Sequence, residues 1–179
     1  YKVCNVTNWE SINNAVSDIE KETGSIDILI NNAGLWIQGP IQENDPEKIK
    51  EIIDVNTLGP ILMTKAVVPA MKKQKSGVII NVNSQAGLMA KAERSVYNAS
   101  KWAITGFTKS MFQELIKDGI KVMGIYPSLM NTGMFEKIGI TKNMDGALSV
   151  EEVAKAIEFM INQGDFTVFP EVGMLSTKY

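Results

Sequence analysis

Tyr97 and Lys101 stand four residues apart, a spacing that puts both on one face of a helix. An ammonium beside a phenol favours the phenolate, so the pair is expected to draw the Tyr97 pKa below its ordinary value of about 10. Such a pair does general acid/base work near neutral pH without histidine. The same spacing also suits two side chains on a solvated helix face. Ser84 lies thirteen residues before Tyr97 and is followed closely by the small residues Ala86 and Gly87. Its hydroxyl suits a hydrogen bond to a substrate oxygen held beside the phenol, or equally a bond to its own loop. Asn31-Asn32-Ala33-Gly34 offers small residues that let backbone approach a ligand, with amides able to tie adjacent strands. Asn56 sits inside a helical pattern where Asn is a poor resident. It is either a flaw beside a kink or a polar group needed inside.

Composition narrows the chemistry further. The 179 residues include 18 Lys and Arg, 20 Asp and Glu, a single Cys and no His. Without histidine there is no Ser-His-Asp triad and no Cys-His pair. One cysteine, Cys4, makes neither an internal disulfide nor a thiolate zinc site. No spaced carboxylate cluster suggests a metal. A net charge of −2 speaks against nucleic-acid binding, and no apolar run nears the ~20 residues of a membrane helix. No signal peptide opens the chain, so the expectation is a cytoplasmic protein with one domain over residues 1–179.

The elements that must position these residues alternate between strand and helix. Tyr1 to Val6 reads as a short strand. Thr7 and Glu10 form a capping-box pair opening a helix to about Lys21, which Gly24 stops. Ile26 to Ile30 is nearly continuously apolar, as in a strand buried on both faces. Asp45-Pro46 opens a long helical stretch that Gly59-Pro60 should bend. A strand over Gly77 to Asn83, a strong helix from about Ser95 to Lys117 and a strand over Lys121 to Tyr126 follow. Asn131 to Ala147 reads as a loop or mobile flap. Ser149 with Glu152 caps a last helix to about Asn162, and Phe166 to Phe169 is a final strand. Alternation of this kind predicts βαβ units and a parallel doubly wound sheet, with ligands beyond the carboxyl ends of the strands.

Taken in order, Asn31-Asn32-Ala33-Gly34, Asn56, Ser84, Tyr97-x-x-x-Lys101 and the segment Pro127 to Thr132 resemble the classical short-chain dehydrogenase/reductases. The resemblance implies a three-layer α/β/α Rossmann-like fold and a nicotinamide-dependent oxidoreductase acting on a small carbonyl/alcohol pair. It implies Tyr97 as proton donor or acceptor at the substrate oxygen, with Ser84 polarising that oxygen. Lys101 would hold the nicotinamide ribose, and Asn56 would help hold a water in a proton relay. Asn5 and Val6 would border the adenine, Asn32, Ala33 and Gly34 the adenine-side ribose, and Pro127, Met130 and Thr132 the nicotinamide end. NADP is weakly preferred over NAD. A catalytically silent nucleotide-binding scaffold or sensor of the same fold is the competing class.

Two departures qualify the resemblance. Ser128 follows Pro127 where the family usually has glycine. The family's Thr-Gly-x-x-x-Gly-x-Gly turn, whose backbone amides receive a pyrophosphate, occurs nowhere in the chain, and the family's first two strands are expected to be absent with it. The expectation is a native chain longer at its front by roughly 50 to 60 residues. Ala99, Ala103, Phe107, Met111 and Leu115 read as one apolar ridge on the long helix, with Trp102 and Phe112 pointing elsewhere. That helix is then buried on more than one side, which predicts a homodimer or homotetramer. Met130, Met134 and Met144 are candidates for an adaptable substrate wall.

Overall fold

The structure is a computed structural model, and it describes residues 1–137 and 139–178, the side chain of Lys137 excepted. Its elements run α1 (Trp9–Thr23), β1 (Ile28–Asn31), α2 (Pro46–Ile53), α3 (Gly59–Gln74), β2 (Gly77–Val82), α4 (Ser95–Leu115), β3 (Ile120–Pro127), α5 (Met134–Lys137), α6 (Val150–Ile161) and β4 (Glu171–Met174). The four strands pair in parallel in the order β1-β2-β3-β4. Because successive strand residues face opposite ways, Ile79 and Val122 join Ile12, Val16, Val67, Met71 and Leu115 beneath α1, α3 and α4. Their neighbours Ile80, Met123 and Ile125 join Leu148, Val153 and Met160 on the α6 face. This is the three-layer parallel α/β arrangement that the alternating pattern predicts. No helix among the described residues is long and apolar enough to cross a membrane.

The caps follow local chemistry. Asp45 accepts from the backbone N–H groups of Glu47 and Lys48 at 2.7 and 3.3 Å, with Pro46 in the first helical position. Ser149 and Glu152 form the reciprocal capping box at the start of α6. Gly24 ends α1 at φ +79°. The expected bend before Pro60 is a five-residue π turn, Asp54–Leu58, between α2 and α3. Proline cannot donate into the helical ladder, and the wider i→i+5 turn accommodates the break.

Four expectations about elements are corrected. Residues 1–6 form no strand: Tyr1 and Val3 are exposed and find no neighbouring strand to pair with among the described residues. The cap of α1 is Asn8, which accepts from Ser11 N–H at 2.8 Å, while the Thr7 hydroxyl donates to Asn5 Oδ1. β1 is buried on one face only; Ile28 and Ile30 are 46% and 43% exposed on the face that α6 does not reach. The last strand lies at Glu171–Met174, not Phe166–Phe169. A turn closed by Thr167 N–H to Gly164 C=O occupies the earlier segment, and the ladder to β3 starts where Gly124 N–H donates to Pro170 C=O.

Candidate active site

β2 delivers the first catalytic candidate. Its parallel partner β1 is tied to it by Asn31, whose amide donates to Asn81 Oδ1 at 2.8 Å; Asn81 in turn donates to Thr108 of α4 at 2.8 Å. Just beyond the strand, Asn83 donates to Thr105 Oγ1 at 2.9 Å and to the Lys101 carbonyl at 3.1 Å. These bonds hold the strand end against α4, and Ser84 caps the following 3₁₀ turn by accepting from Ala86 N–H. Gly87 is required in that turn, since a Cβ there would meet Asn83 Oδ1 and Thr105 Oγ1 at 2.8 Å.

The buried side of α4 is largely polar: Tyr97, Asn98, Ser100, Lys101, Thr105 and Thr108 lie within it beside Val96, Ile104 and Leu115. Of the expected apolar ridge, only Leu115 is fully buried. Ala99 and Ala103 are exposed, Phe107 and Met111 half-buried, and Leu115 buried. Each i, i+4 step advances the direction by about 40°, so five such residues wind around the helix and cannot share one face. Trp102, expected to point elsewhere, is 51% exposed beside Ala99 and Ala103.

Ser84, Tyr97 and Lys101 line one cavity of about 630 Å³ at the carboxyl ends of the strands. Asn32, Ala33, Gly34, Pro127, Met130 and Thr132 line it too. Asn56 lies behind this wall, fully buried. Its Oδ1 accepts from Leu35 N–H at 2.7 Å, and its amide donates to Leu35 C=O at 2.9 Å and Ser100 Oγ at 3.1 Å. The amide therefore pins the loop after β1 to α4. Asn5 and Val6 do not reach the cavity. Asn5 instead closes a turn at the start of α1, accepting from Thr7 N–H at 3.0 Å. Ser128 is tied to the C-terminal segment, its N–H donating to Met174 C=O at 2.8 Å and its hydroxyl accepting from Ser176 N–H at 3.3 Å.

Electrostatics reverse one expectation. Burial pushes the Tyr97 pKa up from its ordinary value; hydrogen bonding to Ser84 and the charge of Arg94 pull the other way. Lys101 is not among these influences. Its Nζ lies 5.8 Å from the centroid of the Tyr97 ring, and burial pulls its own pKa down to about 8. Tyr97 is thus a phenol at neutral pH, and Lys101 remains mainly an ammonium there. Spacing along a helix does not show how deeply the pair is desolvated.

Several cavity residues carry no motif. Trp36 packs on Tyr97 with ring centroids 4.3 Å apart, and Phe135 of α5 meets Trp36 edge-on at 5.3 Å. Arg94, Lys91 and Lys142 stand on the same wall, as do Met89, Met130 and Met134, whereas Met144 does not. The segment expected to be a loop or flap therefore contains a short helix that contributes Phe135 and Met134 to the wall.

A family model described as short chain dehydrogenase matches residues 1–143, and the chain belongs to that family. An uncharacterized oxidoreductase of Staphylococcus saprophyticus is 33% identical over 172 residues, 94% of this chain and 74% of that protein. A 3-ketodihydrosphingosine reductase of Bacteroides thetaiotaomicron is 36% identical over 160 residues, 87% of this chain and 60% of that protein. Other curated relatives are spanned over about half their length. Two solved structures of serine dehydrogenase, one from Escherichia coli and one a closed form complexed with NADP+, each superpose with a TM-score of 0.87 at 28% identity. They cover 98% of this chain and 75% of theirs. Structures similar to this chain bind NADP or NAD+.

Proposed function

We propose that this chain carries the substrate side of an NAD(P)-dependent oxidoreductase that interconverts a small carbonyl compound and its alcohol. The observation that supports this most directly is the convergence of Ser84, buried Tyr97 and buried Lys101 on one cavity. A nicotinamide held beside these residues would supply the hydride chemistry of that interconversion. The Tyr97 phenol gives its proton to the oxygen that becomes the hydroxyl, and takes it back in the reverse direction. Ser84 donates a hydrogen bond to the same oxygen, stabilising the charge that develops there. Tyr97 is protonated at neutral pH, the form that gives its proton in reduction.

The residues present fit the nicotinamide end of a dinucleotide. The Lys101 ammonium spends one donor on Val82 C=O at 3.3 Å, leaving two for ribose hydroxyls. Gly34 keeps the neighbouring space open, since a Cβ there would lie 3.6 Å from Asn56 Oδ1 and 4.0 Å from Lys101 Nζ. Asn32, Ala33 and Gly34 would approach the cofactor through backbone, and Pro127, Met130 and Thr132 would border its reactive ring. With its side-chain amide occupied, Asn56 would act on a relay water by holding the loop and helix around it. NADP or NAD would serve, with a weak preference for NADP, in keeping with similar structures that bind either one. The protein would work in the cytoplasm as a homodimer or homotetramer, without nucleic-acid or membrane partners.

Replacing Tyr97 by Phe tests the reading, with oxidation of NADPH and of NADH followed over a panel of ketones and aldehydes. Turnover is expected to fall by at least ~10²-fold, the scale of a lost general acid. Undiminished turnover of any active pair would overturn it.

A further inference from the structure

Beyond the Ser84–Tyr97 pair, the cavity wall is cationic and aromatic together. Arg94 stands with its guanidinium carbon 5.1 Å from the centroid of the Trp36 ring, and Lys142 Nζ lies 5.3 Å from the same ring. Lys142 is also 4.3 Å from the Phe135 ring, and Lys91 completes the wall. Trp36 itself packs on Tyr97 at 4.3 Å, so one indole lies against both cations and the catalytic phenol.

Among the described residues no Asp or Glu lines this cavity, although acidic residues outnumber basic ones, 20 to 18, in the chain as a whole. Among the described residues neither Arg94 nor Lys142 makes an ion pair. The cations oppose one another: after burial, the charges of Arg94 and Lys91 push the Lys142 pKa down. Converging like charges in a partly desolvated wall are unfavourable until an anion arrives.

The backbone holds Arg94 in this position against local preference. Its neighbour Glu93 adopts φ +61°, the left-handed region that a residue with a Cβ avoids, and Gly39 N–H donates to the Glu93 carbonyl at 2.8 Å. Arg94 is also the residue preceding α4, a helix of 21 residues whose first turn has no side-chain cap. The positive end of that helix therefore adds to the same field. The Trp36 indole N–H is sealed from solvent without an acceptor among the described residues, a donor that a bound oxygen would satisfy.

We propose that the substrate of this site carries an oxyanion, a carboxylate or a phosphate. That group is held by Arg94 and Lys142 while an apolar stretch of the molecule lies over Trp36 and presents its carbonyl to Tyr97 and Ser84. The guanidinium gives two parallel hydrogen bonds to either oxyanion, and the lysine adds a movable point charge. This rests on the carbonyl/alcohol reading of the site and narrows it to one substrate class.

Two matched pairs of probes test it: 4-oxopentanoate against its methyl ester, and hydroxyacetone phosphate against hydroxyacetone. Each is assayed for NADPH-dependent reduction and titrated calorimetrically into the full chain. One anionic probe is expected to exceed its neutral partner by about tenfold or more in kcat/KM and in affinity, the scale of a charge-assisted contact. Which pair shows it identifies carboxylate or phosphate. In Arg94→Gln/Lys142→Gln, and in Lys142→Gln alone should the double variant misfold, that preference is expected to shrink toward equality. Equal treatment of both pairs by the parent, or a preference that survives the substitutions, overturns the proposal. Anion-selective binding without turnover of any probe would uphold the oxyanion site and overturn the oxidoreductase reading.

Discussion

Lys101 is a lysine deep enough in the protein that its proton is held less tightly than in water. Its pKa falls from 10.5 to about 8 through burial. Between those values the unfolded chain holds the proton and the folded chain has lost it, so stability rises with pH across that window. Below about pH 8 both states are charged and the full burial cost applies. The unfolding free energy of the parent relative to Lys101→Met is therefore expected to increase from pH 8 to 10.5, by on the order of 3 kcal/mol. Urea denaturation at matched pH values checks this, and a flat difference would contradict it. At this scale the sequence tells positions well and environments poorly. Tyr97, Lys101 and Ser84 are legible because the turn of a helix and the end of an apolar strand are local geometry. The rise in the Tyr97 pKa is not legible, because Trp36, itself backed by Phe135, packs on that ring from a distant part of the chain. Arg94 and Lys142 escape notice for the same reason: they meet only when the two loops close on one indole.

At the scale of elements, the turn after β2 is fixed by what α4 allows. Gly87 lies against Asn83 and Thr105, and Thr105 Oγ1 donates to the Gly87 carbonyl at 2.9 Å. Gly87→Ala would force the turn outward and carry Ser84 with it. Turnover is expected to fall by roughly tenfold or more, because small misplacements of a reacting group are costly. Far-UV circular dichroism should stay unchanged and the melting temperature should drop by only a few degrees. Unaltered turnover would show that this turn does not position Ser84. The Asp45 and Ser149 caps and the glycine stop at Gly24 are readable in advance because each is a short-range pattern. The buried amides Asn81 and Asn83 also leave a signal, since Asn is uncommon inside an apolar strand and needs partners there. The last strand is misread because Phe166 to Phe169 has the right composition, whereas pairing depends on where β3 places its donors.

For the molecule as a whole, the outward face of α4 bears on assembly. Ala99, Trp102 and Ala103 are exposed there, and a Cβ at Gly106 would touch nothing within 4 Å. Small residues around a large aromatic suit close approach of a second copy of the same helix. Sedimentation at micromolar concentration is expected to report a dimer or larger, shifted toward monomer in Trp102→Lys. A parent chain sedimenting as a monomer would refute the contact.

The Asn31–Asn81 bond between β1 and β2 has a bearing on how the chain threads. Ile-Leu-Ile and Val-Ile-Ile are interchangeable to the hydrophobic effect, so greasiness alone tolerates the two segments meeting one step out of phase. Out of phase, the paired amides would separate, leaving Asn31 Nδ2–H and Asn81 Oδ1 each without that buried partner, a penalty of about 1–3 kcal/mol apiece. The polar pair thus works as a proofreading mark, disfavouring a slipped register between the two strands beneath the cavity.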